Sequence, residues 1–120
     1  MILIIDDKPE NLFSLKTILT LHSFPVDTAE SGEEALKWVA ESAFSLVICD
    51  MRMPTMDGIE TLKRIRKINA DFRRQRLREI IITGYSDESA IKEANMLGIT
   101  DYFHKPFDNR DFLERVKRVV

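Results

Sequence analysis

The sequence predicts a three-layer α/β sandwich, a parallel sheet held between two layers of helices. Three observations carry that prediction. Five short apolar runs recur along the chain, and segments with helical spacing separate them. The runs are rich in β-branched or aromatic residues and mostly lack a period of two, as strands buried on both faces do. Right-handed crossovers between such strands then place helices on both sides of the sheet.

Taken in order, Ile2–Ile5 is the first strand, and Leu12, Leu15, Ile18 and Leu19 mark the first helix. Val26–Ala29 is the second strand. The capping box Ser31-Gly32-Glu33-Glu34 then opens a helix carrying Ala35, Leu36 and Val39. Leu46–Cys49 is the third strand, and Asp57 is placed to cap a helix with Leu62, Ile65 and Ile68 on one side. Ile80–Thr83 is the fourth strand, followed by Ala90, Ile91, Ala94 and Leu97, with Gly98 able to end that helix in a left-handed conformation. Thr100–Phe103 is the fifth strand. Asp108 caps a last helix bearing Phe112, Leu113, Val116, Val119 and Val120.

Composition narrows the functional classes. The 120 residues suit one domain over residues 1–120, and 44% hydrophobic with 32% charged residues is enough to fill one core. A net charge of −2 gives no overall pull toward nucleic acid or a membrane surface. The single cysteine, Cys49, cannot pair internally, which suits a reducing cytoplasm. The apolar runs are too short to span a bilayer, and Met1 enters the first run without a basic leader, so no secretory signal is expected.

In such a sheet functional groups gather where the strands end at their carboxyl side. Strand one ends in Asp6-Asp7, strand three in Asp50 and strand four in Thr83-Gly84, and Lys105-Pro106 follows strand five. Three carboxylates at one edge repel one another and call for a neutralising charge. Mg²⁺ supplies it through oxygen ligands, and Lys105 adds an ammonium. A phosphoryl group entering the same edge would meet cation, ammonium and hydroxyl together. Asp50 is then set as a carboxylate nucleophile that forms an aspartyl-phosphate. Taken singly, each residue also has a plain structural reading: Asp6-Asp7 as the start of a turn, Thr83 as a β-branched strand end, and Lys105 as a solvated lysine.

At this point the sequence resembles a response-regulator receiver domain of two-component signalling along essentially its whole length. The matching pieces are Ile4-Ile5-Asp6-Asp7, Val47 through Pro54 around Asp50, Met56-Asp57-Gly58, Thr83-Gly84-Tyr85 and Lys105-Pro106-Phe107. The resemblance implies a flavodoxin-like (βα)5 fold with strand order 2-1-3-4-5. It further implies Mg²⁺, with Mn²⁺ as a substitute, on Asp6, Asp7, Asp50 and the backbone carbonyl of Arg52. Asp50 becomes the phosphoacceptor, Lys105 the phosphate-pairing lysine, Thr83 the switch hydroxyl and Tyr102 the aromatic reporting its movement, with a cis Lys105–Pro106 bond. The implied partners are a sensor histidine kinase or phosphotransfer protein, and a downstream effector or attached output domain. Small donors such as acetyl phosphate also fit. Arg52 and Tyr85, each two residues beyond a site residue, are bulky and imply slow self-dephosphorylation. Local runs are similar to sporulation-relay and nitrogen-regulation receivers. Either a stand-alone regulator or a piece of a longer regulator or hybrid kinase is compatible with the ending.

Two other functions compete. A haloacid-dehalogenase-like phosphatase also uses Asp, Thr, Lys and Mg²⁺, but it sets its second acid two residues after the nucleophile, whereas Asp6 and Asp7 are adjacent and Lys8 follows. A degenerate receiver acting only by binding would lack part of the site. A flavodoxin-like FMN carrier is disfavoured, because an acidic loop stands where a hydroxyl- and glycine-rich one is needed. Cys49 reads as a core residue, Trp38 as partly exposed packing, and His22 and His104 as lacking the partners of a zinc or catalytic site. The arginine-rich segment from Asn69 to Glu79 reads as a solvated helix extension or, more sharply, a docking patch for an acidic partner. It should lie at the amino end of strand four, away from the chemistry.

Overall fold

Parallel pairing sets the order of the chain in the computed structural model, which describes residues 1–84 and 87–120. The strands β1 (Ile2–Ile5), β2 (Val26–Ala29), β3 (Leu46–Asp50), β4 (Arg78–Gly84) and β5 (Asp101–Lys105) form one sheet in the order β2-β1-β3-β4-β5. The helices are α1 (Pro9–Leu21), α2 (Gly32–Glu41), α3 (Gly58–Asp71), α4 (Glu88–Leu97) and α5 (Asn109–Val119). β1 pairs with β2 on one side and β3 on the other, so strand order reverses between β1 and β3. That reversal opens a crevice beyond Ile5 and Cys49, which are register partners, and Asp6 and Asp50 follow them directly.

Alternate strand residues feed two separate cores. Leu3, Ile5, Val47, Cys49 and Ile81 meet Ala35, Val39, Leu62, Ile65, Ala90 and Ala94 from α2, α3 and α4. Ile2, Ile4, Ile48, Ile80 and Ile82 meet Leu12, Leu15, Leu19, Phe112, Val116 and Val119 from α1 and α5. The sheet is thus covered on both faces, which explains why its inner strands β1, β3 and the middle of β4 read as continuous apolar runs.

Caps fix where the helices begin. Ser31 Oγ accepts from Glu34 N, while Glu34 Oε2 accepts from Glu30 N, one residue earlier than a standard capping box. Asp57, Asp87 and Asp108 accept from Glu60 N, Ala90 N and Asp111 N respectively. Gly98 closes α4 with φ +70°, a conformation that favours glycine.

Several boundaries differ from the sequence reading: β3 runs on to Asp50 and β5 to Lys105. β4 starts at Arg78, because Arg78 pairs with Leu46 and its N–H donates to Ser45 O, and it runs on to Gly84. β5 starts at Asp101, because the Thr100 hydroxyl is used as an acceptor for Glu79 N. Val120 is 49% exposed and lies outside the core.

The arginine-rich segment also differs from a solvated helix extension. α3 stops at Asp71, and the following loop is tethered to the protein. Arg74 donates to Val39 O, Ser42 O and Asn69 Oδ1, and Arg76 to Gly98 O. Trp38 is likewise half-buried, with Nε1 donating to Thr28 O. No helix among the described residues is long and apolar enough to cross a membrane.

Candidate functional site

The carboxyl ends of β1, β3, β4 and β5 surround a cleft of about 460 Å³. Its walls include Lys8, Asp50, Arg52, Thr83, Gly84, Asp87 and Lys105. Asp50 closes β3 and is 5% exposed, because Ile48 and Cys49 carry the strand through the core up to the edge. Lys105, the last residue of β5, reaches across β4 and donates from Nζ to Asp50 Oδ1 at 2.8 Å. The Lys105–Pro106 peptide bond is cis.

Asp6 sits at the same edge and is 2% exposed. Its two oxygens are held by different donors: Oδ1 accepts from Lys8 N at 3.0 Å and Oδ2 from Asn11 Nδ2 at 3.2 Å. Asp7 Oδ1 is buried without a hydrogen-bond partner among the described residues. One oxygen each from Asp6, Asp7 and Asp50 lie within 4.8 Å of one another. A buried oxygen with no donor, beside two more carboxylates, suits a hard divalent cation, which takes oxygen ligands and cancels their repulsion.

Burial pushes the Asp50 carboxyl above its ordinary value, and the Lys105 hydrogen bond pulls against that shift, while Asp6 reinforces it. Burial also pushes the Cys49 thiol well up, and Asp50 adds to the effect. Cys49 is therefore a protonated core residue and not a thiolate.

The switch residues are linked by register. Thr83 pairs with His104, and Tyr102 pairs with Ile81, so Thr83, Tyr102 and His104 share one face of the sheet. Thr83 Oγ1 lies 3.4 Å from Gly84 O, a long contact that holds the hydroxyl only loosely. Tyr102 and His104 meet edge to face with centroids 5.6 Å apart.

Arg52 behaves differently from a side chain that merely fills space. Its guanidinium grips Asp87 with Nε–Oδ2 at 2.6 Å and Nη2–Oδ1 at 2.8 Å, and touches Ser89 Oγ at 3.1 Å. The pair ties the loop after β3 to the first turn of α4. Asp87 has two tasks, since it also caps that helix, and the Arg52 contact lowers its carboxyl to about 2. Tyr85, the second bulky residue implicated in lifetime, lies outside the described residues.

The edge therefore brings Asp6, Asp7, Asp50, Arg52, Thr83 and Lys105 together, with Tyr102 two register positions behind Thr83. Sequence reasoning missed Asn11 and Asp87. Asn11 falls in the first turn of α1, five residues after Asp6, and a polar residue there was a readable signal. The cap at Asp87 was readable too, but its bond to Arg52 spans 35 positions and left no local trace.

Comparisons with known proteins place the family and the fold. The family model described as "Response regulator receiver domain" matches residues 2–117. The chain is 35% identical over 119 residues to sporulation initiation phosphotransferase F of Bacillus subtilis, covering 99% of this chain and 92% of that protein. It is 39% identical over 107 residues to the transcriptional regulatory protein ZraR of Escherichia coli, covering 89% of this chain but only 23% of that regulator's length. A CheY-like response regulator receiver domain protein from Methanospirillum hungatei superposes with a TM-score of 0.86 at 31% identity, covering 98% of this chain and 90% of the other.

Proposed function

The chain belongs to the response regulator receiver domains of two-component systems, and on that premise we propose that Asp50 is its phosphoacceptor. The observation that carries this reading is the Lys105–Asp50 contact of 2.8 Å inside the three-carboxylate cleft. The donor is a phosphohistidine on a sensor kinase or phosphotransfer protein, or a small acyl phosphate. In the transfer an Asp50 O–P bond forms as the donor's N–P bond breaks and releases the imidazole, or as the acyl phosphate's O–P bond breaks and releases the carboxylate. Lys105 engages Oδ1, which leaves Oδ2 for attack, and its ammonium then balances charge on the phosphoryl oxygens.

Asp6, Asp7, Asp50 and the Arg52 carbonyl would hold Mg²⁺, or Mn²⁺ in its place. The cation supplies charge neutralisation and orientation when bound. Asn11 and the Lys8 N–H keep Asp6 aimed, so that its negative charge stays at the site. The loosely held Thr83 hydroxyl turns to the new dianion, and Tyr102, on the same sheet face, moves into the space released. The α4–β5–α5 surface is then the part whose shape reports phosphorylation to an effector or output domain, a local charge event biasing a two-state element. The setting is cytoplasmic, and the 1–120 segment acts as one receiver unit.

Arg52 and Tyr85 make the phosphorylated state long-lived. The support is the Arg52 fork onto Asp87 and Ser89, which spans the cleft wall beside Asp50. Phosphate release from Arg52→Asn/Tyr85→Glu should be faster than from wild type; an unchanged time course removes this account.

The central test is intact-protein mass spectrometry after incubation with Mg²⁺ and either acetyl phosphate or a phosphorylated histidine phosphotransfer protein. One phosphoryl adduct is expected, and none on Asp50→Asn. Failure with both donors, or labelling of Asp50→Asn, overturns the assignment. Catalytic turnover of a phosphate ester would instead favour the phosphatase reading.

A further inference from the structure

Charge is very unevenly distributed along this chain. Between residues 60 and 79 eight Lys or Arg stand against three acids, a net +5, whereas the whole chain carries −2 and the remainder therefore −7. α3 starts beside Asp50 and carries the chain away from it, so the second part of this stretch, from Arg66 to Glu79, lies toward the amino edge of the sheet, the end opposite Asp50. There Arg66, Asn69, Ala70, Arg74, Arg76, Leu77 and Glu79 line a concavity of about 300 Å³.

The guanidinium groups are held in place before anything binds. Glu79, 1% exposed, takes both arms of Arg66 at 2.8 and 2.5 Å. Arg66 Nη1 also donates to Leu97 O, Arg76 Nη2 donates to Gly98 O, and Arg74 Nη1 is spent on the acceptors around Val39 and Ser42. One buried carboxylate among three guanidiniums leaves an excess of two positive charges. Each guanidinium has five N–H groups, and the bonds described for Arg74 and Arg76 use one nitrogen of each. Side chains fixed in this way lose little freedom on binding, which favours recognition of a planar anion. Beside the concavity the Phe72 ring is 56% exposed, with the Arg74 guanidinium 4.5 Å above its centroid.

We propose that this concavity is a docking site for an acidic segment of a partner protein, with a carboxylate side chain among Arg66, Arg74 and Arg76 and an apolar neighbour on Phe72. Charge complementarity identifies the occupant class. A long nucleic acid carries charge along its whole length and would run from this small patch onto a surface of net −7. A short acidic segment does not, and it can use the exposed ring. The site is at the far end of the sheet, so it is independent of the phosphoacceptor reading and leaves the Asp50 cleft open.

The test uses the whole chain in amide NMR titrations with a six-residue Asp/Glu peptide containing one Leu. A single-stranded oligonucleotide of equal charge and anionic phospholipid vesicles form the other arms. Shifts confined to residues 66–79 and 97–98 are expected. Affinity should fall about tenfold in Arg76→Gln, whose side chain is exposed, and again as salt rises. The dispersed spectrum of that variant reports that it is folded, and its phosphorylation by acetyl phosphate should match wild type. Absence of peptide shifts, shifts centred on the Asp50 cleft, equal binding by the variant, or tighter binding of oligonucleotide or vesicle would each overturn the proposal.

Discussion

Replacing Asp50 by Asn should abolish phosphorylation and at the same time stabilise the protein. The oxygens of Asp6, Asp7 and Asp50 approach within 4.8 Å. With an effective dielectric of about 20, each repulsion on Asp50 at that distance is roughly 3.5 kcal/mol. Lys105, at 2.8 Å, attracts Asp50 by about 6 kcal/mol on the same basis. The two repulsions slightly exceed the one attraction, by about 1 kcal/mol. Desolvation of the buried charge adds to the cost, and Lys105, whose side chain is 34% exposed, recovers water when its partner is neutral. Asp50→Asn should therefore gain about 1–3 kcal/mol, or roughly 4–12 °C in Tm for a domain of this size. The assay is paired thermal and urea unfolding in EDTA. Added Mg²⁺ should narrow the gap by stabilising wild type alone.

The pH dependence of that gain has a definite sign. The folded carboxyl of Asp50 is raised above its unfolded value of 3.8, so its ionised form costs stability at neutral pH. The advantage of Asn should fade as pH falls through the raised folded value. Equal or lower stability of Asp50→Asn in EDTA at pH 7 would refute the balance of charges described here.

Arg66→Met should cost about 3–5 kcal/mol, because it strands the Glu79 carboxylate inside the protein, while Arg66→Met/Glu79→Met should recover most of that loss. Urea midpoints for the two variants decide it, and equal midpoints would mean that the pair is not the source. Gly58→Ala should destabilise by about 1–3 kcal/mol and slow phosphorylation, since a Cβ there would sit 2.6 Å from Asp50 O and 3.0 Å from Met51 Cα. An unchanged phosphorylation time course would show that the loop yields freely. Asp87 has a folded carboxyl at about 2 against an ordinary 3.8, so its contribution is complete above the ordinary value and lost as pH falls toward 2. Hydrogen exchange in α4 should consequently differ between wild type and Asp87→Asn at pH 5, and a gap already absent there would exclude the Arg52 tie.

The fold was legible because β1, β3 and the middle of β4 are buried on both faces and so declare themselves as unbroken apolar runs, while β2 and β5, at the sheet edges, are only partly buried. The site was legible because strand ends are short and carry few residues, which made Asp6, Asp7, Asp50, Thr83 and Lys105 easy to isolate. Long-range polar pairs were not. Arg66 and Glu79 are 13 positions apart, and nothing in a run of arginines separates one that clamps a buried acid from one in water. The edges of β4 and β5 were missed for a related reason: Arg78 extends β4 through its backbone pairing with Leu46, which no side-chain pattern records.

The sheet divides the interior into two compartments that share backbone but few side chains. Ile4 and Ile48 belong to one, and Leu3, Ile5 and Cys49 to the other, although they alternate along the same strands. Sequence drift in the α1–α5 compartment can thus proceed through local repacking while Ile81, Ala90 and the Tyr102 neighbourhood on the opposite side stay as they are. Such partitioning lets a lineage repack one side without disturbing the other, with β2 and β5 as the strands whose flanking helices, α1 with α2 and α4 with α5, draw on both.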